Sequence, residues 1–242
     1  MLRRSRRALL AIVVTAIATS ALAACGSGSG GSSASYANEQ AKPAGQILRD
    51  VRAVVANATS VHMSGRIAGT MAITIDLHLS QTGGTGTVSS KGLAFKLTRI
   101  GKAAYFTGNP GFYRHFTNTA GINLLDGKWL KVPVSNTHFS PYTDLTDMAS
   151  LLGAVLKPAG NVVKAGMRTL HGVRAVGLRD EANAGTLYVA ANGVPYPIEI
   201  VTTGTHAGVV TFDHWNQQIT LDPPAHPVYL TQLARASGIS LS

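Results

Sequence analysis

The sequence predicts an α+β fold in which about ten antiparallel strands form a sheet that two or three helices cover. Apolar and polar residues alternate with a period of two between residues 61 and 107, and again between 161 and 221, which is typical of strands with one buried face. Gly-Gly, Lys-Gly and Asn-Gly pairs separate these runs in the way hairpin turns do. Two further segments carry apolar residues at three- and four-residue steps, the pattern of amphipathic helices.

The first helix is predicted to begin at Pro43, a residue suited to the first turn because its ring fixes φ. Six apolar residues share one face of this helix: Ile47, Leu48, Val51, Val54, Val55 and Ala58. Arg49, Asp50 and Arg52 fall mainly on the opposite face. The helix therefore needs an apolar surface to pack on, and the strands that follow provide one.

The clearest strand spans residues 71–79, where five apolar residues alternate with polar ones. The other predicted strands of the first half are 61–67, 85–90, 93–97, 103–107 and a short one ending at Pro133. A second helix is predicted from about Asp144 to Pro158, and its apolar side either covers the sheet or lines a cavity. The strands predicted after it are 161–165, 173–179, 185–190, 196–203, 208–212 and 215–221.

The N-terminus, residues 1–24, is predicted to be a bacterial signal peptide. Four arginines precede an uncharged apolar stretch, and Leu22-Ala23-Ala24-Cys25 resembles the lipobox of bacterial lipoproteins. The resemblance implies cleavage before Cys25 and lipidation of its thiol. An uncleaved anchor is the alternative, since the apolar stretch is only slightly shorter than the roughly 20 residues that span a membrane. A buried structural cysteine is disfavoured because the neighbouring segment is almost entirely Gly and Ser.

The rest of the chain is predicted to comprise a tether, one domain and a tail. Residues 25–42 are Gly/Ser-rich at their start and are interpreted as a flexible tether, 43–225 form the domain, and 226–242 form a loose tail or a short helix. With a lipid-anchored Cys25, the protein is expected on the outer face of the bacterial cytoplasmic membrane, attached through its acyl chains.

Charge and motif content narrow the classes of function. The net charge of +10 falls to +6 without the signal peptide and is spread thinly, so no nucleic-acid partner is expected. The eight histidines are scattered, and the sequence has no HExxH, G-x-S-x-G, phosphate-binding or dinucleotide-binding motif. We therefore expect no catalytic residue, no metal and no cofactor. His62, His78 and His214 are interpreted as solvated surface residues.

The order of several motifs resembles the LppX/LprG family of bacterial lipoproteins and, more distantly, the LolA/LolB lipoprotein carriers. Besides the lipobox and first helix, the segments involved are 60–65 (SVHMSG), 126–133 (DGKWLKVP), 187–190 (LYVA), 193–195 (GVP), and Trp215-Asn216 ahead of Pro223-Pro224. The resemblance implies a strongly curved antiparallel sheet, an incomplete β-barrel, with helices packed on its concave face around an apolar cavity. It also implies an envelope lipoprotein that binds an acylated lipid or glycolipid as a carrier or chaperone.

The cavity is expected between the first meander and the second helix. Its predicted lining consists of aliphatic and aromatic residues on those elements: Ile73, Ile75, Leu77, Leu79, Leu93, Phe95, Leu97, Leu151, Leu152 and Val155. The alternative is that the same residues pack a solid core. The protein would then be a tethered envelope scaffold without a lipid ligand, acting through an envelope protein partner whose identity is open.

Overall fold

The computed structural model describes residues 38–69, 72–182 and 185–240. The predicted lipidation site Cys25, the predicted signal peptide and the predicted tether up to residue 37 lie outside the described residues. Those from Asn38 onward belong to one compact unit.

The core of the fold is a twelve-stranded sheet. Its strands are β1 (Ser60–Ile67), β2 (Ile73–Ser80), β3 (Gly83–Ser90), β4 (Leu93–Ile100), β5 (Ala103–Gly108), β6 (Leu130–Pro133), β7 (Val162–Leu170), β8 (Val173–Asp180), β9 (Gly185–Ala190), β10 (Pro197–Thr202), β11 (Gly208–Asp213) and β12 (Val228–Tyr229). Their spatial order is β12-β6-β5-β4-β3-β2-β1-β11-β10-β9-β8-β7, so β1 and β11 join two meanders. All neighbours are antiparallel except β12 and β6. The sheet is open, and the predicted α+β class is confirmed.

The register of β1 and β2 separates a buried face from a polar one. Met63 lies opposite Leu77, and both side chains of this pair are buried. His62 lies opposite His78, one residue along, and therefore projects from the other face. The period-two alternation of the sequence thus corresponds to the two faces of the sheet, as predicted.

Six α-helices accompany the sheet in the described residues: α1 (Ala44–Ala56), α2 (Pro110–Tyr113), α3 (Thr119–Leu125), α4 (Ser140–Thr143), α5 (Met148–Val155) and α6 (Leu230–Ser237). The buried face of α1 is the predicted one, and Pro43 occupies the N-cap position. Helix α5 begins later than predicted because the Asp147 carboxylate accepts a hydrogen bond from the Ser150 amide (2.9 Å) and caps it. Among these helices, none is both long and apolar enough to cross a membrane.

An aromatic cluster fills the part of the core next to β4 and β5. It contains five of the six phenylalanines and one tyrosine: Phe95, Phe106, Phe112, Phe116, Phe139 and Tyr142. Ring centroids lie 4.3 to 6.2 Å apart along these contacts, the range of favourable aromatic pairs. Most phenylalanines of the chain are therefore concentrated in one part of the core.

The prediction of a strand at residues 215–221 is wrong, because this segment lies outside the sheet. His214 and Asn216 adopt positive φ (50° and 60°), which turns the chain out of the sheet after β11. Asn216 then binds the start of β1 through two hydrogen bonds. Its side-chain oxygen accepts one from the Thr59 backbone N–H (2.8 Å), and its backbone N–H donates the other to the Ser60 carbonyl (3.0 Å). Trp215 stacks on Tyr196 with ring centroids 4.7 Å apart. The segment closes one end of the sheet as a loop.

Both segments set apart as tether and tail contribute to the folded unit. At the N-terminal side, the Glu39 amide donates to the Ala191 carbonyl (2.9 Å) and Lys164 Nζ donates to the Gln40 carbonyl (2.9 Å). At the C-terminal side, β12 pairs with β6, and Leu233 of α6 is fully buried. Residues 38–42 and 228–237 are therefore parts of the domain, because each has found a partner that is distant in sequence.

Candidate functional site: two apolar cavities beside helix α5

Two cavities flank the C-terminal end of α5. The first, here called the strand-side cavity, has a volume of about 540 Å³ and lies between α1, the end of α5 and strands β7 to β10. The second, the turn-side cavity, has a volume of about 670 Å³ and lies between the end of α1, α5 and the β2–β3 turn. Leu156 and Lys157 line both cavities. The segment that follows α5 therefore forms their common wall.

The strand-side cavity is mainly aliphatic. Its aliphatic lining comes from two helices, four strands and the residue after α5: Leu48, Val155, Leu156, Val162, Leu178, Leu187 and Ile200. Polar residues line it at the β10–β11 connection, where Thr205 and His206 are exposed to solvent, and charged ones at Lys157 and Asp180. An apolar chain can lie against the aliphatic wall while a polar group stays near the connection.

The turn-side cavity combines an apolar wall with basic residues. Val55, Met148 and Leu152 are among its apolar lining residues. Arg52, Arg99 and Lys157 also line it, and in the described part of the chain none of these three forms an ion pair with a carboxylate. The Asp147 carboxylate lines the same cavity, so the lining carries three cationic side chains and one anionic one.

Arg52 holds the wall between the two cavities in place. Its guanidinium donates two hydrogen bonds to the Leu156 carbonyl, from Nε at 3.1 Å and from Nη2 at 2.7 Å. Leu156 caps the C-terminus of α5, where the helix dipole favours a cation. The interaction ties α1 to the end of α5 and positions the Leu156 side chain, which is buried between the cavities.

The predicted lining residues separate into two groups in the structure. Val155 lines the strand-side cavity and Leu152 lines the turn-side cavity, whereas Leu151 packs partly buried against the core. The seven strand residues line neither cavity but pack within or against the core: Ile73, Ile75, Leu77, Leu79, Leu93, Phe95 and Leu97. Phe95, one of the seven, belongs to the aromatic cluster itself.

The aliphatic lining residues that the sequence analysis missed include Leu178, Leu187 and Ile200. They lie on β8, β9 and β10, whose alternation resembles that of β2 and β4. Periodicity shows which face of a strand is apolar, and it carries no information on whether that face meets a void or a packed side chain. No sequence signal could therefore have distinguished these residues from Leu77 or Leu97.

Comparison with known proteins gives a match at the level of structure. No protein-family model matches the sequence, and no curated protein does. LprF from Mycobacterium bovis is similar over 75% of this chain and 97% of its own, with 15% identity and a TM-score of 0.53. An uncharacterized conserved protein from Thermus thermophilus matches over 77% of this chain and 98% of its own, with 12% identity and a TM-score of 0.41. MucB, in a complex with MucA(peri), matches over 78% of this chain and 58% of its own, with 11% identity and a TM-score of 0.34.

Of these three similarities, the first alone exceeds a TM-score of 0.5, and it extends over nearly the whole of LprF. The chain therefore shares the fold of LprF, and the resemblance to the LppX/LprG lipoproteins that its motifs indicated is confirmed at the level of the fold.

Proposed function

We propose that this protein binds an acylated lipid or glycolipid in the two cavities beside α5 and acts as a carrier or chaperone at the cell envelope, anchored through Cys25. The observation that carries the proposal is the strand-side cavity, which is lined by aliphatic side chains and has a volume of about 540 Å³. This volume falls within the range of about 300–1,000 Å³ typical of small-molecule sites. The fold shared with LprF and the lipobox-like N-terminus support the same proposal.

An aliphatic cavity suits the exchange of lipids with a membrane. An acyl chain gains about 0.8 kcal/mol per methylene group on leaving water, whether it enters a bilayer or an aliphatic protein cavity. The free energies of the two states therefore lie close together, so a lipid can be taken up and released without an energy source. This is the thermodynamic requirement for a carrier.

The arrangement of the cavities favours a ligand with more than one acyl chain and an anionic headgroup. Leu156 separates the two cavities, so one chain can occupy each of them. Lys157 lines both, and Arg52 and Arg99 line the turn-side cavity. These cations would form charge-assisted hydrogen bonds with a phosphate or carboxylate group.

The test is native mass spectrometry with lipid extraction, on residues 26–242 purified from a lipid-containing bacterial host. Val155 lines the strand-side cavity and is 36% exposed, so Val155→Glu introduces a charge there with little risk to folding. Val209 on β11 is 42% exposed and lines neither cavity, so Val209→Glu is the matched control.

We expect the parent chain and Val209→Glu to carry the same acylated species and Val155→Glu to carry at least about tenfold less, because burying a charge among aliphatic groups is strongly unfavourable. Equal loading of the two variants would refute the assignment to this cavity. A parent chain whose mass no added lipid changes would refute lipid binding altogether and favour the tethered scaffold.

A further inference from the structure

A cluster of histidine and aspartate side chains lies on the face of the sheet that points away from the core. His62 on β1 is opposite His78 on β2 and opposite Asp213 on β11. Asp76 lies two residues before His78 and so projects from the same face. His214 follows β11 with φ of 50°, and its ring centroid lies 5.7 Å from that of His62. Cross-strand register thus gathers three of the eight histidines and two carboxylates at one point.

The two ring nitrogens of His62 face different surroundings. Nε2 lies 3.2 Å from Asp76 Oδ1, and that same oxygen lies 3.9 Å from His78 Nε2. Nδ1 lies 2.6 Å from Asp213 Oδ1, which is also 2.5 Å from His214 Nδ1. The nitrogen and oxygen atoms on the Nε2 side all lie within 4.8 Å of one another.

These distances distinguish atoms that could bind one metal ion from atoms that are joined by hydrogen bonds. Ligand atoms about 2.0–2.1 Å from a tetrahedral metal ion lie roughly 3.3–3.4 Å apart. The distance of 3.2 Å between His62 Nε2 and Asp76 Oδ1 matches this spacing, and the 3.9 Å between Asp76 Oδ1 and His78 Nε2 exceeds it. The spacings of 2.5 and 2.6 Å on the Nδ1 side are too short for two ligands of one ion and match hydrogen bonds to a carboxylate. A histidine that binds a metal through one nitrogen usually donates its other N–H to a carboxylate. His62 has this arrangement, with Asp213 as the acceptor.

We propose that His62 Nε2, His78 Nε2 and Asp76 form a binding site for a divalent transition-metal ion, and that Asp213 orients His62 for it. Two imidazoles and a carboxylate suit Zn²⁺, whose sites with three protein ligands keep a fourth position for water or an exogenous group. The carboxylates of Asp76 and Asp213 supply two negative charges, which favour a divalent cation. The site lies on the opposite face of the sheet from the cavities and does not depend on lipid binding.

Binding requires one rearrangement. The rings of His62 and His78 are stacked, with centroids 4.2 Å apart and planes inclined by 16°, so their in-plane lone pairs do not converge on one point. The His62 side chain is 15% exposed and held by Asp213, whereas that of His78 is 46% exposed. His78 is therefore the ring that turns to complete the coordination.

The test is zinc titration of the full chain in detergent, purified without a histidine tag and stripped with a chelator, followed by isothermal calorimetry. We expect one ion per chain, no comparable binding of Mg²⁺, and a tetrahedral visible spectrum with Co²⁺. His78→Gln and Asp76→Asn should each lower the affinity for Zn²⁺ by more than about 100-fold, and Asp213→Asn by about 10–100-fold, the usual loss for an outer-shell partner. His138, which is exposed and outside the cluster, provides the control His138→Gln, expected to bind Zn²⁺ like the parent chain.

The side chains of His78 and Asp76 are 46% and 58% exposed, so their variants should fold, and circular dichroism would verify this. The proposal is overturned if folded His78→Gln binds Zn²⁺ as the parent chain does. It is also overturned if His214→Gln abolishes binding while His78→Gln retains it, since the ion would then lie on the Nδ1 side.

Discussion

Lys42 compensates a carboxylate that is completely buried. The Glu39 side chain has no solvent exposure, and Lys42 Nζ donates to its Oε1 at 2.6 Å and to Asp50 Oδ2 at 2.7 Å. Glu39 Oε2 has no hydrogen-bond partner among the described residues. Lys42→Met would leave the Glu39 carboxylate buried without its counter-ion, whereas Glu39→Met would leave Lys42 with Asp50. The two substitutions should therefore have unequal effects on stability.

The size of each loss in stability follows from how deeply the two charged side chains are buried. Removing one member of a buried ion pair costs about 3–5 kcal/mol. Because the Lys42 side chain is 19% exposed, water can partly replace it, and we expect Lys42→Met to cost about 3 kcal/mol, at the low end of this range. For a chain of this size, that corresponds to a fall in melting temperature of about 6–12 °C. Glu39→Met should change the free energy of unfolding by less than about 1 kcal/mol, because it removes the buried charge itself.

Urea denaturation of the parent chain, both single variants and the double variant measures these free energies as a cycle. The double variant should recover most of the stability lost in Lys42→Met. Equal losses in the two single variants, or a loss below about 1 kcal/mol for Lys42→Met, would refute the reasoning.

The interaction of Lys42 with Glu39 and Asp50 also predicts that folding stability changes at alkaline pH. The hydrogen bonds to Asp50 and then Glu39 raise the pKa of Lys42 above its ordinary value of 10.5. A raised pKa in the folded state means that the stabilisation is fully present below 10.5 and is lost as pH rises through the folded value. The stability difference between the parent chain and Lys42→Met should therefore be constant near neutral pH and shrink above pH 10.5.

Two further predictions concern the cavity wall and the anchor. Arg52→Met removes both hydrogen bonds to the Leu156 carbonyl and should cost about 1 kcal/mol, since Arg52 is largely exposed. Amide hydrogen exchange of residues 154–158 should accelerate while the core of α1 stays protected, and unchanged exchange in that segment would contradict the assigned role. Cys25→Ala should abolish incorporation of labelled palmitate and move the exported protein from the membrane fraction to the soluble one. Retention at the membrane would instead support an uncleaved N-terminal anchor.

The elements that the sequence predicts well are those whose pattern is complete within one segment. The stripe of α1 and the alternation of β2 involve residues a few positions apart, so each pattern reports its own burial directly. The loop after β11 shows the limit of such patterns, because Asn216 leaves the sheet to bind the start of β1. Strand β12 has only two residues and exists because β6 lies beside it, which no local pattern reveals.

The candidate site also combines features that local patterns predict with features that they do not. Leu77 and Leu187 occupy equivalent positions in alternating runs, yet one is buried in the core and the other lines a cavity. The difference arises because Leu187 lies beside the end of α5, where the strand-side cavity is left, whereas Leu77 is enclosed by the core cluster. Packing of this kind depends on the volumes of residues brought together from distant segments.

Local patterns in the chain were enough to predict the types of the main elements, the apolar face of each, and the order of helix, meander, helices and meander. Two features depend instead on how the segments assemble: which strands line the strand-side cavity, and which scattered histidines meet across β1, β2 and β11. The physical reason is that strand order and register are set by pairing between distant segments, and a shift of one residue would move every side chain of a strand to the opposite face.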